Sequence, residues 1–222
     1  MDLILREAKL EDCDDLYHWK NDPVSREQSF NREEVSYEEH CGWLKEALKD
    51  SNRLFYIGID DKNEKCGVAR FDIKDEFFAE VHINIAPEKR RKGIGSQLIS
   101  KSCPLFFLKT KRKLIMARTK EWNTVSIKTF KKVGFSELLC YNDTEWRGVV
   151  VLVLLTPDGG RQDENPLSGQ QSNRAECSKV AEDKGGKYNW TGNSSSRKGK
   201  VCQRDAKDFR TDERNDISRK WD

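Results

Sequence analysis

The chain has 222 residues, which is enough for one domain or for one domain with a tail. Charged residues make up 36% of it, but the net charge is only +3, which argues against nucleic acid as the main partner. The seven cysteines form no Cys-x-x-Cys pair and no zinc-type spacing, so we predict buried free thiols in a reducing cytosol and no metal site. Neither a signal peptide nor an apolar run of membrane length is present, and we expect a cytoplasmic protein without membrane contact.

The N-terminal part is predicted to form a strand and two helices. Residues 3–8 form the strand, and residues 10–20 form a helix whose first turn is rich in acids, which favours its dipole. Asn21-Asp22-Pro23 is a turn signal, and residues 24–32 are predicted to be a polar loop. Ser36 then begins a second helix with a capping-box pattern.

The middle of the chain has the period of β-strands. We predict strands over residues 54–59 and 65–73, joined by a hairpin turn, and a third strand over residues 77–85. Alternate residues of this third strand are apolar, as in a strand with one face in a core. Pro87 ends the strand because it has no backbone N–H to donate.

A basic, glycine-bearing turn follows this strand and leads into a helix. Gly93 and Gly95 follow the basic residues 90–92, and apolar residues then recur at helical spacing. A helix that begins in such a turn offers unpaired backbone N–H groups and the positive end of its dipole, so it can hold a diphosphate. The dinucleotide fingerprint lacks its third glycine here, and the NTPase loop lacks its Gly-Lys-Ser.

The last predicted elements complete an α/β domain with a mixed sheet. They are a strand over 114–117, a helix over 123–133 that is capped by Asn123 and ended by Gly134, and strands over 135–141 and 149–155. Roughly one residue in five is apolar beyond this point, which predicts a disordered tail.

The turn carries a family resemblance. Arg90-x-x-Gly93-x-Gly95, after a strand that ends in Ala86-Pro87, resembles the acetyl-CoA signature of the GNAT superfamily of N-acetyltransferases. The Asn123-x-x-Ser126 helix with the Gly134-Phe135 that follows it resembles a second feature of that family. The resemblance implies a GNAT acyl-CoA N-acyltransferase fold, a mixed twisted sheet flanked by helices, over residues 1–155, with the tail at 156–222. It also implies acetyl-CoA as co-substrate and transfer of its acetyl group to a primary amine.

The resemblance places the coenzyme along the end of the third strand, the turn and the later helix. In the family this strand splays from its neighbour, and a backbone N–H near Asn84 or Ile85 meets the thioester oxygen. Many family members have a tyrosine acid where Phe130 stands, so either Tyr141, Ser126 or water protonates the thiolate here, or the thiolate leaves unaided. The residues implied to bind the coenzyme are Asn84, Ile85, Arg90, Arg91, Lys92, Gly93, Ile94, Gly95, Ser96, Asn123, Ser126 and Phe130.

Glu80 and His82 lie on one face of the strand that leads to the turn, by the period-two rule. Family members often carry a general base near these positions, and a carboxylate or imidazole with a pKa near neutrality can accept the ammonium proton. The other interpretation is that both residues form the exposed half of an amphipathic strand.

The N-terminal segment narrows the choice of substrate. It resembles the Trp-Arg-Asn segment of two GNAT branches, with Lys20 in place of the usual arginine. One branch acetylates nucleotide-linked amino sugars of the pseudaminic-acid type, which we favour, and the other acetylates the N-terminal amine of ribosomal proteins. A catalytically silent coenzyme-binding domain is the third hypothesis, and a homodimer is compatible with each. The predicted substrate-binding residues are Trp19, Asn21, Arg26 and His40, with Trp43 as a further stacking candidate.

Overall fold

The structure, a computed structural model, describes residues 2–138 and 148–156. In this part of the chain seven strands form one sheet in the order β1-β2-β3-β4-β5-β7-β6. Neighbouring strands are antiparallel except β4 and β5, which are parallel. The strands are β1 (Ile4–Glu7), β2 (Arg53–Ile59), β3 (Lys65–Ile73), β4 (Phe78–Ile85), β5 (Leu114–Lys120), β6 (Ser136–Leu138) and β7 (Val149–Leu155). The mixed sheet confirms the predicted fold class; Tyr141 and residues 157–222 lie outside the described residues.

Five α-helices flank the sheet within these residues, two of them with the predicted caps. Ser36 and Glu39 form the capping box of the third helix, and the Asn123 side chain accepts from the Ser126 N–H at the start of the fifth. The helices are α1 (Cys13–Asn21), α2 (Pro23–Gln28), α3 (Tyr37–Ala47), α4 (Ile94–Thr110) and α5 (Thr124–Lys132). No helix in residues 2–138 or 148–156 is long and apolar enough to cross a membrane.

The polar loop predicted over residues 24–32 is wrong in its first half, because Pro23–Gln28 is helix α2. Pro23 occupies the first helical turn, where its missing N–H costs nothing and its fixed φ suits a helix. The Asp22 carboxylate accepts a hydrogen bond from the Ser25 N–H at 2.9 Å and caps the helix. The signal that ended α1 therefore also begins α2.

The main core lies between the sheet and α4. Phe71 of β3 stacks on Phe106 of α4 with ring centroids 4.6 Å apart, and neither side chain is exposed. Other buried members of this core are Leu3, Tyr56, Ala79, Val81, Leu98, Ile99 and Ile115. A second cluster, which contains Leu16, Trp19, Leu44 and Ile57, lies between the other face and helices α1 and α3.

The prediction that the cysteines are free is wrong for Cys13 and Cys41, which form a disulfide. Helix α1 packs against α3, and this packing brings the two Cα atoms to 5.9 Å, within disulfide range, although 28 residues separate them in sequence. Because these two cysteines form a disulfide, the cysteines no longer support the prediction of a reducing compartment. Cys66 and Cys103 are free and buried, as predicted. The others, Cys140, Cys177 and Cys202, lie outside the described residues.

Strands β4 and β5 separate along their length. Their parallel pairing covers only Phe78–Glu80 with Leu114–Met116, yet β4 continues to Ile85 and β5 to Lys120. The two strands therefore diverge beyond Glu80, as the family resemblance implies. This opening leads towards the turn before α4.

Candidate active site

The turn before α4 has the backbone that an anion site needs. Gly93 has a φ of +76° and Arg91 a φ of +61°, so two residues of the turn are left-handed. Left-handed residues in a turn can direct backbone N–H groups into one concavity, and the first N–H groups of α4 have no partner within the helix. A Cβ at Gly93 would meet no atom within 4 Å, so glycine here serves the positive φ and not a crowded contact.

Gly95 has a different role, because it lies where α4 approaches α5. A Cβ added at Gly95 would stand 3.4 Å from Thr129 Cγ2 and 3.9 Å from Ile85 Cγ1. An alanine fits at ordinary van der Waals distance, whereas a longer side chain would crowd Thr129 and Ile85. The absence of a side chain at Gly95 therefore lets the start of α4 lie close to the end of β4 and to α5.

The three basic residues of the turn face in two directions. Arg91 and Lys92 are exposed, and Lys92 Nζ donates to the Glu88 carbonyl at 2.8 Å. Arg90 instead reaches back under the turn, where its guanidinium pairs with Asp22 at 2.7 Å and its Nε donates to the Ile85 carbonyl at 3.2 Å. Ile94 is buried in the core below the turn, and Ser96 is half-buried in the first turn of α4.

Glu80 lies on the face of β4 that points away from α4, and this residue is only 4% exposed. Arg118 of β5 pairs with both carboxylate oxygens, through a short contact from Nε and at 3.1 Å from Nη2, and Lys74 Nζ lies 3.6 Å away. Burial raises the pKa of Glu80, but His82, Arg118 and Lys74 outweigh it, so the pKa is below 4.5. A carboxylate held in this way is a weak base.

His82 is the second candidate base on this face. Its Nε2 lies 3.3 Å from Asp72 Oδ2 and 4.0 Å from Glu80 Oε1. Burial lowers the pKa of His82, Arg70 lowers it further, and the two carboxylates offset this only in part, so the pKa lies below 6.5. The lowered pKa favours the neutral imidazole, which can accept a proton.

Sequence reasoning missed four charged residues that surround these two, namely Arg70, Asp72, Lys74 and Arg118. Arg70 and Asp72 of β3 face His82 and Glu80 across the strand pair, with Arg70 Nη2 3.0 Å from Asp72 Oδ2. Arg118 was missed because the predicted strand ended at residue 117. The signal was present, since charges that alternate with apolar residues inside strands mark a polar face in the fold. We call Arg70, Asp72, Lys74, Glu80, His82 and Arg118 the charged face.

Two aromatic rings cover the charged face. The Arg70 guanidinium lies 5.5 Å from the ring centre of Trp43, and that of Arg118 lies 5.5 Å from the ring centre of Phe30. Cations at this distance are attracted to the face of an aromatic ring. Within residues 2–138 and 148–156, no group of three or more His, Cys, Asp or Glu side chains could hold a metal ion.

A family model described as an acetyltransferase (GNAT) domain matches residues 2–136. The chain belongs to this GNAT family. It is an acetyl-CoA-dependent N-acetyltransferase, and acetyl-CoA is its co-substrate. No curated protein matches the chain significantly.

Solved structures with the same fold include two of spermidine N-acetyltransferase from Vibrio cholerae. One, in complex with CoA and spermine, is 20% identical with a TM-score of 0.62, and the match covers 69% of this chain and 95% of that one. The other, in complex with manganese ions, is 20% identical with a TM-score of 0.55, and the match covers 69% of this chain and 92% of that one. At this identity the likeness shows the GNAT fold alone.

The residues in and before α5 that were predicted to bind the coenzyme differ in their surroundings and in their burial. The Asn123 Oδ1 accepts from the Ser126 N–H at 3.1 Å, so Asn123 orients the start of the helix. Ser126 is half-buried one turn further on. Phe130 is buried in the main core, with its ring centre 4.9 Å from that of Phe135.

The predicted substrate residues do not converge on one surface. Trp19 is a core residue, and the Asn21 side chain exchanges two hydrogen bonds with the backbone of Val35. Arg26 lies 3.3 Å from the Glu34 carboxylate. His40 is 2% exposed, and burial, with Lys20 as a smaller cause, lowers its pKa to about 4. Trp43 alone among the candidate aromatics reaches the charged face.

Proposed function

We propose that this enzyme acetylates the primary amine of a small molecule that also carries a negative charge. The first candidate is a nucleotide-linked amino sugar, with direct attack of the amine in a ternary complex. The observation that carries the proposal is the charge balance of the charged face. This face borders the opening between β4 and β5, where an amine must approach.

The charged face has more positive than negative charge. Arg70, Lys74 and Arg118 are cations, whereas the carboxylates are Asp72 and Glu80 and each already lies against a guanidinium. A polyamine needs carboxylates that are free to pair with its own cations, and none on this face is free in that sense. An acceptor with a phosphate or a carboxylate instead meets the one positive charge by which three cations exceed two carboxylates, in a partly buried place where a charge pair is worth more than in water.

We assign the general base to His82 in preference to Glu80. Neutral His82 accepts the proton of the attacking amine, and the Asp72 carboxylate, 3.3 Å from Nε2, stabilises the imidazolium that forms. Glu80 keeps Arg118 in place. Acetyl-CoA, when bound, supplies the acetyl group as a thioester, and a backbone N–H near Asn84 or Ile85 stabilises the charge that develops on its oxygen. Phe130 has no proton to give, so Ser126, Tyr141 or water protonates the thiolate, or the thiolate leaves unaided.

A polyamine is the second candidate acceptor, because the solved structures named above are spermidine N-acetyltransferases. The N-terminal amine of a protein, of the ribosomal type, is a further alternative acceptor, which the resemblance of the Trp19–Asn21 segment suggests. A silent coenzyme-binding domain is the remaining alternative, and its motivation is Phe130 in the place of the usual tyrosine.

The test is thiol release from acetyl-CoA with a panel of acceptors: UDP-4-amino sugars, amino acids, spermidine, spermine and N-terminal peptides. We expect the highest kcat/KM for an anionic acceptor, with a KM that rises with ionic strength. Gly95→Glu should abolish turnover because it adds bulk next to Thr129 and Ile85 and a negative charge beside the diphosphate turn, whereas Gly95→Ala should retain it. A preference for spermidine would overturn the anionic acceptor, and binding of acetyl-CoA without turnover of any amine would favour the silent domain.

A further inference from the structure

Arg90 is the signature arginine of the coenzyme turn, yet its side chain makes its contacts away from the turn. One guanidinium nitrogen, Nη2, donates to Asp22 Oδ2 at 2.7 Å and to Ser25 Oγ at 2.9 Å. Nε donates to the carbonyl of Ile85, the last residue of β4, at 3.2 Å. These contacts bind Arg90 to the junction of α1 and α2 and to the end of β4.

The same junction is bound to β4 by a second set of hydrogen bonds. Ser25 Oγ donates to Asn84 Oδ1 at 3.0 Å, and Asn84 Nδ2 donates to the Trp19 carbonyl at 2.8 Å. The Asp22 carboxylate that accepts from Arg90 also accepts from the Ser25 N–H. The end of β4, where the thioester oxygen must be met, is therefore fixed by side chains of the N-terminal segment.

The partners of Arg90 decide which role its charge can play. Its positive charge is opposed by the partly buried Asp22 carboxylate; burial raises the pKa of that carboxyl, but the Ser25 N–H and Arg90 lower it overall. A cation paired in this way contributes little to the attraction of a distant phosphate. Arg91 and Lys92, which are exposed, are better placed to supply that attraction.

We propose that Asp22 and Arg90 are a positioning pair, which holds the end of β4 and the turn in the shape that receives acetyl-CoA, and that Arg90 does not bind the diphosphate. The proposal rests on acetyl-CoA binding at this turn. It gives Asp22 a role in coenzyme binding through the Arg90 guanidinium. It also joins α2 to the coenzyme turn through one chain of hydrogen bonds.

The Asp22→Asn variant distinguishes a positioning role of Arg90 from a role as phosphate ligand, because the two roles predict opposite changes in the affinity for acetyl-CoA. Asparagine keeps the cap of α2, since it is as good a capping residue as aspartate, but it removes the charge that opposes Arg90. If Arg90 binds the diphosphate, the freed guanidinium should tighten acetyl-CoA binding. If the pair positions the backbone, binding should weaken, by about tenfold for one charge-assisted hydrogen bond.

The experiment is calorimetric titration of acetyl-CoA into the full chain and its variants at low and high ionic strength. Besides Asp22→Asn, the variants are Arg90→Gln, which keeps an amide donor near Ile85, their double mutant, and Arg91→Gln as the exposed control in the same turn. We expect the double mutant to be no weaker than the weaker single mutant, because both changes break one unit. We expect Arg91→Gln to reduce the salt dependence of binding and Arg90→Gln to leave it unchanged.

Tighter or unchanged binding by Asp22→Asn would overturn the proposal, as would a loss of salt dependence in Arg90→Gln. Melting curves for each variant identify any that do not fold, and Arg90→Gln then tests the pair without a change at the cap. If the wild type binds acetyl-CoA while Asp22→Asn has normal affinity, only the positioning role fails. A wild type that does not bind acetyl-CoA would remove the coenzyme site from this turn and the positioning role with it.

Discussion

Alternate residues of β3 and β4 point to opposite faces of the sheet, and on these two strands the chemistry of the two faces is opposite. Towards α4, Phe71, Ala79 and Val81 are buried against apolar side chains. Towards α1 and α3, Asp72 and Glu80 are buried among cations. One residue along a strand is enough to pass from one environment to the other.

This difference indicates what each face contributes. Burial of apolar surface is the main favourable term in folding, so the α4 face stabilises the domain. Burial of charged groups carries a desolvation penalty that ion pairing offsets only in part, so the charged face adds little net stability. Perturbed titratable groups next to an opening in a sheet are typical of an active site. We therefore expect changes on the two faces to affect different measurements.

The largest expected effect is on catalysis at the charged face. His82→Gln removes the imidazole that accepts the proton of the amine, so kcat should fall by about two to four orders of magnitude at neutral pH. The loss should shrink at high pH, where the free amine is already neutral. Pre-steady-state or steady-state pH–rate profiles of wild type and variant with the best acceptor measure it.

Glu80→Gln is the matched control for this prediction. It lies on the same strand face, but its carboxylate is paired with Arg118, so its kcat should fall less than that of His82→Gln. Coenzyme affinity and melting temperature should stay near wild type in His82→Gln. The assignment fails if Glu80→Gln gives the larger loss and His82→Gln retains its rate.

The opposite face should respond in stability and not in chemistry. Phe106→Ala removes a fully buried ring stacked on Phe71 and should lower the free energy of unfolding by about 3–5 kcal/mol, the range for large-to-small core changes. Urea denaturation at pH 7 measures this. Leu108→Ala, on the same helix but 81% exposed, should change it by about 0.5 kcal/mol or less. Equal effects in both variants would contradict the placement of the core.

His40, in the layer that covers the charged face, should make stability depend on pH. Its folded pKa of about 4 lies below its ordinary value of 6.5, so the unfolded chain binds the proton more readily. The contribution of neutral His40 is present above pH 6.5 and is lost as the pH falls to about 4. It amounts to about 3 kcal/mol at most.

Urea denaturation from pH 7 down to pH 4, for wild type and His40→Gln, checks this prediction. The unfolding free energy of the wild type should fall more steeply than that of the variant over this interval. Parallel curves would show that His40 is not buried in its neutral form.

The smallest expected effect is that of truncation after Thr156. All seven strands and five α-helices described above lie before residue 157, and the matches to the solved structures cover about the same share of the chain as the described residues. The truncated chain should keep the melting temperature and acetyl-CoA affinity of the full chain, as measured by calorimetry. A loss of cooperative melting would show that residues beyond 156 pack on the domain.

The sequence by itself determined the elements whose signals are local. Strand β3 runs over Lys65–Ile73 as predicted, and the helix caps at Ser36 and Asn123 form as predicted, because side-chain alternation and capping act over a few neighbouring residues. The GNAT family was likewise identified from the turn signature, since the spacing of Arg90, Gly93 and Gly95 lies within one loop.

Only the tertiary structure decided which distant side chains meet. The disulfide of Cys13 and Cys41 depends on how α1 packs against α3, and the pair of Asp22 and Arg90 joins residues 68 positions apart. The same holds for Arg118, whose charge reaches Glu80 only because β5 lies parallel to β4. A sequence shows which charges are available, but the free energy of a buried charge depends on its partner, and strand order and helix packing choose that partner.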